Sequence, residues 1–412
     1  MTTVLIIGGA APAAAGFVRD ICDRALAQFR ARGVRVVLTD TAENLGAAPE
    51  LVALADEVYE LDYADPVACR LWAARYATRH RVDAVVGYRE YAALSVAEVA
   101  AALGLKGNPP AAVLRVRTKD VCRDFLAERG FPQPAVRLCA RLSEARDFLA
   151  SRAGRAAVVK PRSGSSSEGV TLVTEEAQLP GAWEAAGGHT ASVLIEEFVR
   201  GPEFSVEGIF ASGIPHVLAV TAKRTEPGTF VEAGHVMPAP LPARDTERIA
   251  RDVRGAVSAL GLKAGHFHAE CWLTEQGVVL GEVHARQGGD WIHALLEWVH
   301  PGFELYGAWL DDLLGAAPPP PGKPLRGGAV RFLFAPEGRV AAVPDLAPLR
   351  ADARVLAAEV ALAEGDIVPP VSSNLDRHGV LVVGAHTAPQ AERLCASLLP
   401  RAEVLPAVPT CA

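Results

Sequence analysis

Apolar residues fall into two rhythms along this chain. In short runs they alternate with polar ones or fill the run entirely, as strands do. In longer runs they return every three to four residues, as on a helix packed along one face. The first 110 residues switch regularly between the two. Val4–Ile7, Val34–Thr39 and Val82–Gly87 read as strands, and Phe17–Arg32 and Ala92–Leu103 as helices. The breaks fall at Gly8–Gly16, Gly33, Gly104 and Pro109-Pro110. Strand and helix taken in turn predict a parallel sheet with helices on its faces.

Beyond Pro110 strands dominate. A helix runs from Thr118, a fair N-cap, through Lys119–Leu126 to Gly130. Val121, Cys122, Phe125 and Leu126 make its buried face and leave Lys119 free at its start. A second helix spans Ser143–Arg152. Ala156–Lys160 and Val170–Val173 are strands flanking Arg162–Gly169, and Val193–Val199 and Glu203–Phe210 turn about Arg200-Gly201-Pro202. Val217–Ala222 leads into the turn-rich Lys223–Gly228 and then Phe230–His235. Helix Asp245–Leu260 precedes a hairpin. The proline run Ala316–Pro324 cannot hold regular hydrogen bonding and reads as a linker. After it, strands Gly327–Phe334 and Val380–Gly384 and helix Pro389–Leu399 form a small α+β appendage without a catalytic cluster.

The hairpin carries the sharpest chemical signal. Its arms are His266–Leu273 and Val278–His284, joined by Thr274-Glu275-Gln276-Gly277. Pairing Thr274 with Val278 around a three-residue loop sets Trp272 opposite Leu280, Glu270 opposite Glu282, and His268 opposite His284. Side chains two apart share a face, so His268, Glu270, Glu282 and His284 line one side together. Opposed residues have Cβ atoms roughly 5 Å apart, where like charges destabilise. Two carboxylates placed so need solvent or a cation between them. Arg286 and Gly288-Gly289-Asp290 follow at once, bringing a fixed cation and flexible backbone to the same place, and a metal site is the expectation.

Composition narrows the classes. A chain of 412 residues, half of them apolar, implies two to four domains with sizeable cores. A net charge of −7 without a basic run argues against nucleic-acid binding. No stretch reaches the roughly 18–20 apolar residues of a membrane span. VLIIGGAAPAAAG has no basic residue before Arg19 and reads as a strand and glycine turn rather than a signal peptide. Seven cysteines, an odd number without a C-x-x-C pair, argue against a disulfide framework and for a reducing cytoplasm. The first glycine turn lacks the G-x-G-x-x-G spacing of a nicotinamide site, and Asp40 alone is weak support for one. The Ser/Gly loop after Lys160 is not a Walker loop, but its backbone N–H groups beside a lysine suit a phosphate.

Lys119, Lys160, the Ser/Gly loop, Glu196-Glu197, Glu203, and Glu270 with Glu282 follow one another in an order that resembles the ATP-grasp carboxylate–amine ligases, over roughly residues 1–310. FVEAGHVMPA (Phe230–Ala239) and GEVHARQGGD (Gly281–Asp290) look most like the bacterial L-amino acid ligases that make dipeptides. The resemblance implies an α/β and α+β ATP-grasp fold. Its parts would be a Rossmann-like domain at 1–112, a mobile lid at 113–192, an antiparallel catalytic subdomain at 193–315 and an α+β domain at 325–412. It implies ATP contacts from Lys119 and Lys160, and a lid loop at Ser163, Gly164, Ser165, Ser166, Ser167 and Gly169. Glu196, Glu197 and Val199 would form the adenine hinge, with Glu203 on the ribose. Glu270 and Glu282 would hold Mg2+, with Mn2+ as an alternative. Glu232, His235, His268, Arg286, Gly288 and Gly289 would meet the substrates, with Arg286, Glu232 and His235 in catalytic positions. A carboxylate would be phosphorylated to an acyl phosphate and attacked by an amine, releasing ADP and phosphate. The implied partners are small carboxylate and amine substrates, amino acids foremost, with room for a homodimer. Alternatives are a ligase or carboxylase for another carboxylate, or a nucleotide-binding regulator that has lost catalysis. One departure stands out: His284 occupies a position where much of the superfamily has asparagine. Histidine is a poor magnesium ligand, so His284 could bind a softer metal, meet substrate, or orient Glu282.

Overall fold

The computed structural model describes residues 1–152, 155–162, 167–226, 228–316 and 319–406. The alternating N-terminal segment builds a four-stranded parallel sheet in the order Glu57–Glu60, Arg35–Asp40, Thr3–Ile7, Ala84–Val86. Helix Phe17–Ala31 packs Ile21, Ala25, Leu26 and Phe29 onto one face, while Cys69, Ala73 and Tyr76 cover the other. Asp40 is buried here. It accepts N–H bonds from Ala10 and Thr41, each 2.8 Å, and from the Asn44 amide at 2.7 Å. Its oxygens therefore hold the strand-to-helix turns together and are not offered to a ribose.

A second, antiparallel sheet runs Val136–Cys139, Val193–Glu197, Ala157–Pro161, Thr171–Val173. Helices Leu142–Ser151 and Leu179–Ala185 close it into a small unit with its own core of Phe148, Leu149, Trp183 and Ile195. Val193–Glu197, expected at the start of the catalytic subdomain, pairs within this sheet. In helix Lys119–Ala127 the buried face differs from expectation. Val121 is 43% exposed and Arg123 is buried, because Arg123 forks the Glu196 carboxylate at 2.5 and 3.0 Å.

The largest sheet has eight strands, in the order Gly277–His284, His266–Thr274, Glu203–Ala211, Ile214–Thr225, Glu232–Met237, Gly327–Leu333, Gly379–Ala385, Val355–Val360. Helix Ala243–Ala259 covers one face with Ile249, Val253 and Val257. Helices Ile292–Val299 and Leu305–Leu313 lie in the core on the other face and meet Phe17–Ala31 of the N-terminal domain. The region after the proline run is α+β, as expected, but it is not set apart: three of its strands continue this sheet. The sequence GGAVRFL explains why. Six of its seven residues are buried, so the strand is covered on both faces and cannot form the edge of a separate unit. Among the described residues no helix is long and apolar enough to cross a membrane.

Candidate active site

A cleft of about 1010 Å³ lies among the three sheets described above, lined also by residues 374, 375 and 377 of the C-terminal region. Its floor is the hairpin. His268 pairs with His284 and Ala269 with Val283, as the alternation predicts, but Cys271 pairs with Leu280 and Thr274 with Gly277. The expected register is thus met at the open end and displaced by one residue at the tip, where Gly277 takes φ +136° after a two-residue loop. The displacement is absorbed by a bulge in which Gly281 and Glu282 together oppose Glu270. A Cβ on Gly281 would stand 3.0 Å from both the Cβ and the carbonyl oxygen of Glu270, which is why glycine serves there.

The bulge sends the two glutamates to different walls. Glu282 turns toward the lid, where Lys119 and Lys160 both reach its Oε1 at 3.2 Å. Lys160 also touches Glu196 at 3.0 Å. On this wall three cations, Lys119, Lys160 and Arg123, face two carboxylates. Burial opposes charge on Glu282, yet the two lysines outweigh it and hold its carboxyl well below the usual range. Glu270 turns the other way, to Lys223. The Lys223 ammonium, 5% exposed, lies 2.7 Å from Glu203, 2.8 Å from Glu232 and 2.7 Å from Glu270. Burial works against its charge, and the three carboxylates overcome that and raise its pKa well above the ordinary lysine value.

Beside this group stand Asp290 and Arg377. The guanidinium forks Asp290 at 2.8 and 2.9 Å, lies 3.7 Å over the ring of Phe332 and donates Nε to the carbonyl of Asn374. On the second wall, then, four carboxylates face two cations. His235 is 3.4 Å from Glu232 and 3.5 Å from Asp290, with neither ring nitrogen in a full hydrogen bond. Burial disfavours a charge on His235, but the two carboxylates raise its pKa. Asp290 and Trp291 hold left-handed backbone, at φ +54° and +65°. Each costs on the order of 1–3 kcal/mol for a side-chain-bearing residue and marks a turn held by its surroundings.

The remaining site residues are held from behind. His268 meets Glu207 at 2.9 Å through Nδ1, which leaves Nε2 3.7 Å from Glu270. Burial lowers the pKa of His268, and Glu207 more than reverses this, to about 9. His284 gives Nδ1 to Glu90 at 2.9 Å and faces Glu282 at 3.7 Å with Nε2. Arg286 meets the same Glu90 oxygen at 2.6 Å.

Two arrangements could take a cation. Glu232, His235 and Asp290 are the three ligand-bearing groups drawn within 4.8 Å among the described residues, but Lys223 and Arg377 already pair with their carboxylates. Glu270 and Glu282 likewise pair with lysines, Glu270 with Lys223 and Glu282 with Lys119 and Lys160, so either set would have to release them to take an ion. Glu270 shares the Lys223 ammonium with two other partly buried carboxylates, and His268, 3.7 Å away, is itself paired with Glu207, a deficit of positive charge that burial makes expensive. His284 presents a nitrogen beside Glu282, with its other nitrogen fixed by a carboxylate as metal-binding histidines commonly are.

The structure brings Lys119, Lys160, Glu168, Glu196, Glu197, Val199, Glu203, Glu232, His235, His268, Glu270, Glu282, His284, Arg286 and Gly289 to one cleft. Gly288 packs behind it, against Glu207 and His268. Ser167 donates to the Phe230 carbonyl at 3.0 Å, and Gly169, at φ +67°, leaves no room for a Cβ beneath the Ala185 carbonyl. Ser163, Gly164, Ser165 and Ser166 lie outside the described residues. Lys223, Glu90, Glu207 and Arg377 were missed. Only Lys223 had a local signal: strand Ile214–Thr225 runs through it, and alternation from buried Thr221 puts it on the same face.

Residues 154–294 match the model of the ATP-grasp domain, and residues 331–404 that of the L-amino acid ligase C-terminal domain 2. Uncharacterized protein y4rH of Sinorhizobium fredii is 30% identical over 202 residues, 48% of this chain and 41% of that protein. The D-alanine–D-alanine ligase of Geobacter sulfurreducens is 30% identical over 164 residues, 39% of this chain and 51% of that enzyme. The chain spans about half the length of the curated relatives it matches. The crystal structure of L-amino acid ligase from Bacillus licheniformis superposes with a TM-score of 0.80 at 21% identity, covering 99% of each chain.

Proposed function

We propose, from the premise that this chain has the ATP-grasp fold and carries the second C-terminal domain of the L-amino acid ligases, that it joins a carboxylate to an amine at the expense of ATP, with amino acids as the substrates. One observation carries the reading: the cleft is bipolar, with excess cations on the lid wall and excess carboxylates opposite. A metal-bound nucleotide is bipolar in the same sense. Lys119 and Lys160 would leave Glu282 for the phosphates. Glu196, Glu197 and Val199 would border the adenine, and Glu203 would accept from the ribose. Lys223 bridges Glu203 and Glu270, so with Glu203 on the ribose and Glu270 on the metal it would lie beside the phosphates between them. Glu270 and Glu282, with His284 beside them, would hold Mg2+, which when bound neutralises the charge of a carboxylate meeting the γ-phosphate.

The acyl oxygen attacks the γ-phosphorus and ADP leaves. The amine then attacks the acyl carbon, and inorganic phosphate departs with the bonding pair. Arg286, fixed by Glu90, would add positive potential where the acyl phosphate forms, and Gly289 lines the cleft nearby. Glu232, His235 and Asp290 would receive the ammonium, and Glu232 or His235 would take its proton so that the free amine attacks. Closure of the lid excludes water, which would otherwise hydrolyse the acyl phosphate.

Incubation with ATP, Mg2+ and an equimolar mixture of the twenty protein L-amino acids should release ADP and phosphate in equal amounts and yield dipeptide masses by mass spectrometry. AMP and pyrophosphate as products, or nucleotide turnover indifferent to amino acids, would overturn the reading.

A further inference from the structure

The C-terminal region sends one short turn into the cleft. Residues Asn374–Asp376 form a single 3-10 turn. Asp376 fastens it by accepting the N–H groups of Ser372 and Ser373 at 2.7 and 2.8 Å. The next residues are anchored to the sheet, since His378 donates its N–H to the Leu333 carbonyl and accepts that of Ala361, each at 2.8 Å. From this fixed base two contacts reach the second wall. The Asn374 side-chain oxygen accepts the backbone N–H of Glu232 at 2.8 Å. Arg377 forks both oxygens of Asp290, its reach set by Phe332 beneath it and by its own bond to Asn374. Arg377 and Asp290 are 13% and 14% exposed, so the pair is shielded from water on most sides.

We propose that Arg377 is a positioning residue of the amine site. By clamping Asp290 in its left-handed conformation it holds the Gly288–Gly289–Asp290 turn against the hairpin, so the C-terminal region completes the site. The inference rests on the ligase reading for its kinetic consequence but not for the clamp itself. Asp290 follows directly on the two glycines that lie beside Glu207 and Phe17, and its backbone conformation is one that side-chain-bearing residues rarely adopt unaided. A bidentate guanidinium–carboxylate pair fixes direction as well as distance, which a single ammonium cannot do. Without the fork, Asp290, which already stands 3.5 Å from His235 beside Glu232, loses the cation that offsets that crowding and fixes its direction.

The test uses the full chain and two variants, Arg377→Met and Arg377→Lys, each compared with wild type. Hydrogen–deuterium exchange with Mg2+–ADP bound should show faster exchange at residues 286–292 in Arg377→Met, with ADP affinity within twofold of wild type. With the amino acids that wild type accepts from the twenty-member mixture, KM for the amine should rise about tenfold while KM for ATP stays unchanged. Arg377→Lys should recover only part of the loss. Unchanged exchange at 286–292 together with an unchanged amine KM overturns the proposal, as does full recovery with lysine. If Arg377→Met does not fold, the lysine variant carries both readouts, and wild-type values in both overturn it. Should wild type join no amino acids, the ligase reading fails while the exchange result still decides the clamp.

Discussion

The two walls of the cleft are built from the same residue types and reach opposite balances. On the lid wall, lysines and an arginine outnumber glutamates, and each carboxylate has two cationic partners: Glu196 has Arg123 and Lys160, and Glu282 has Lys119 and Lys160. On the facing wall one lysine serves three carboxylates, and Arg377 serves a fourth. Lost solvation must be offset by partners, so the first wall is satisfied as it stands and ready to exchange a carboxylate for a phosphate. The second is short of positive charge and gains from an added cation. Glu270 and Glu282 are neighbours across the hairpin, yet they belong to different walls, and that division gives the cleft its polarity.

Removing Lys223 should have the largest effect. Lys223→Met removes a buried ammonium and leaves the partly buried Glu203, Glu232 and Glu270 without their shared cation. Breaking a buried pair of this kind costs about 3–5 kcal/mol, which urea unfolding would measure, and turnover should vanish. A loss below about 1 kcal/mol would mean that the three carboxylates are solvated, and the contrast between the walls would collapse. The matching change on the lid wall, Lys160→Met, should be milder for stability, since Arg123 still holds Glu196 and Lys119 still reaches Glu282.

The sequence already contained the hairpin end of this picture. Alternation along His266–Leu273 and Val278–His284 places His268, Glu270, Glu282 and His284 on one face, and the open end of the hairpin has that register. It could not show the bulge, because the slip is decided by Gly281 making room for Glu270 in space. Other gaps share a cause. Glu90 meets Arg286 across 196 residues of chain, and Arg377 meets Asp290 across 87. Periodicity reports which face a residue occupies and says nothing of what comes to cover it. The same limit made the last strands look like an appendage: GGAVRFL reads as a strand either way, and only its neighbours show that it continues the eight-stranded sheet.

Glu282→Ala separates the walls next. Turnover with Mg2+–ATP should fall by roughly 10²–10³-fold or more, the scale of losing a charge-stabilising group. ADP affinity measured in EDTA by calorimetry should hold or tighten, because the lid wall loses a carboxylate that competes with phosphate for Lys119 and Lys160. A tenfold weaker affinity in EDTA would show that Glu282 supports the nucleotide by some route other than a metal.

The smallest change addresses how the walls come to be separate. Gly281→Ala adds one methyl 3.0 Å from the Cβ and carbonyl of Glu270, and neither atom lies on a flexible end that could move aside. The strands must part locally, at an expected cost of about 1–3 kcal/mol, as for other overpacked positions. Because Glu282 follows directly, its carboxylate should shift relative to Lys119 and Lys160 while Glu270 stays with Lys223. Turnover should therefore drop about tenfold, with the KM for Mg2+ raised and ADP affinity in EDTA kept. An equal loss of metal and nucleotide binding would instead mean that the bulge supports the cleft as a whole, and the division of the two glutamates between walls would then have to be set elsewhere in the hairpin.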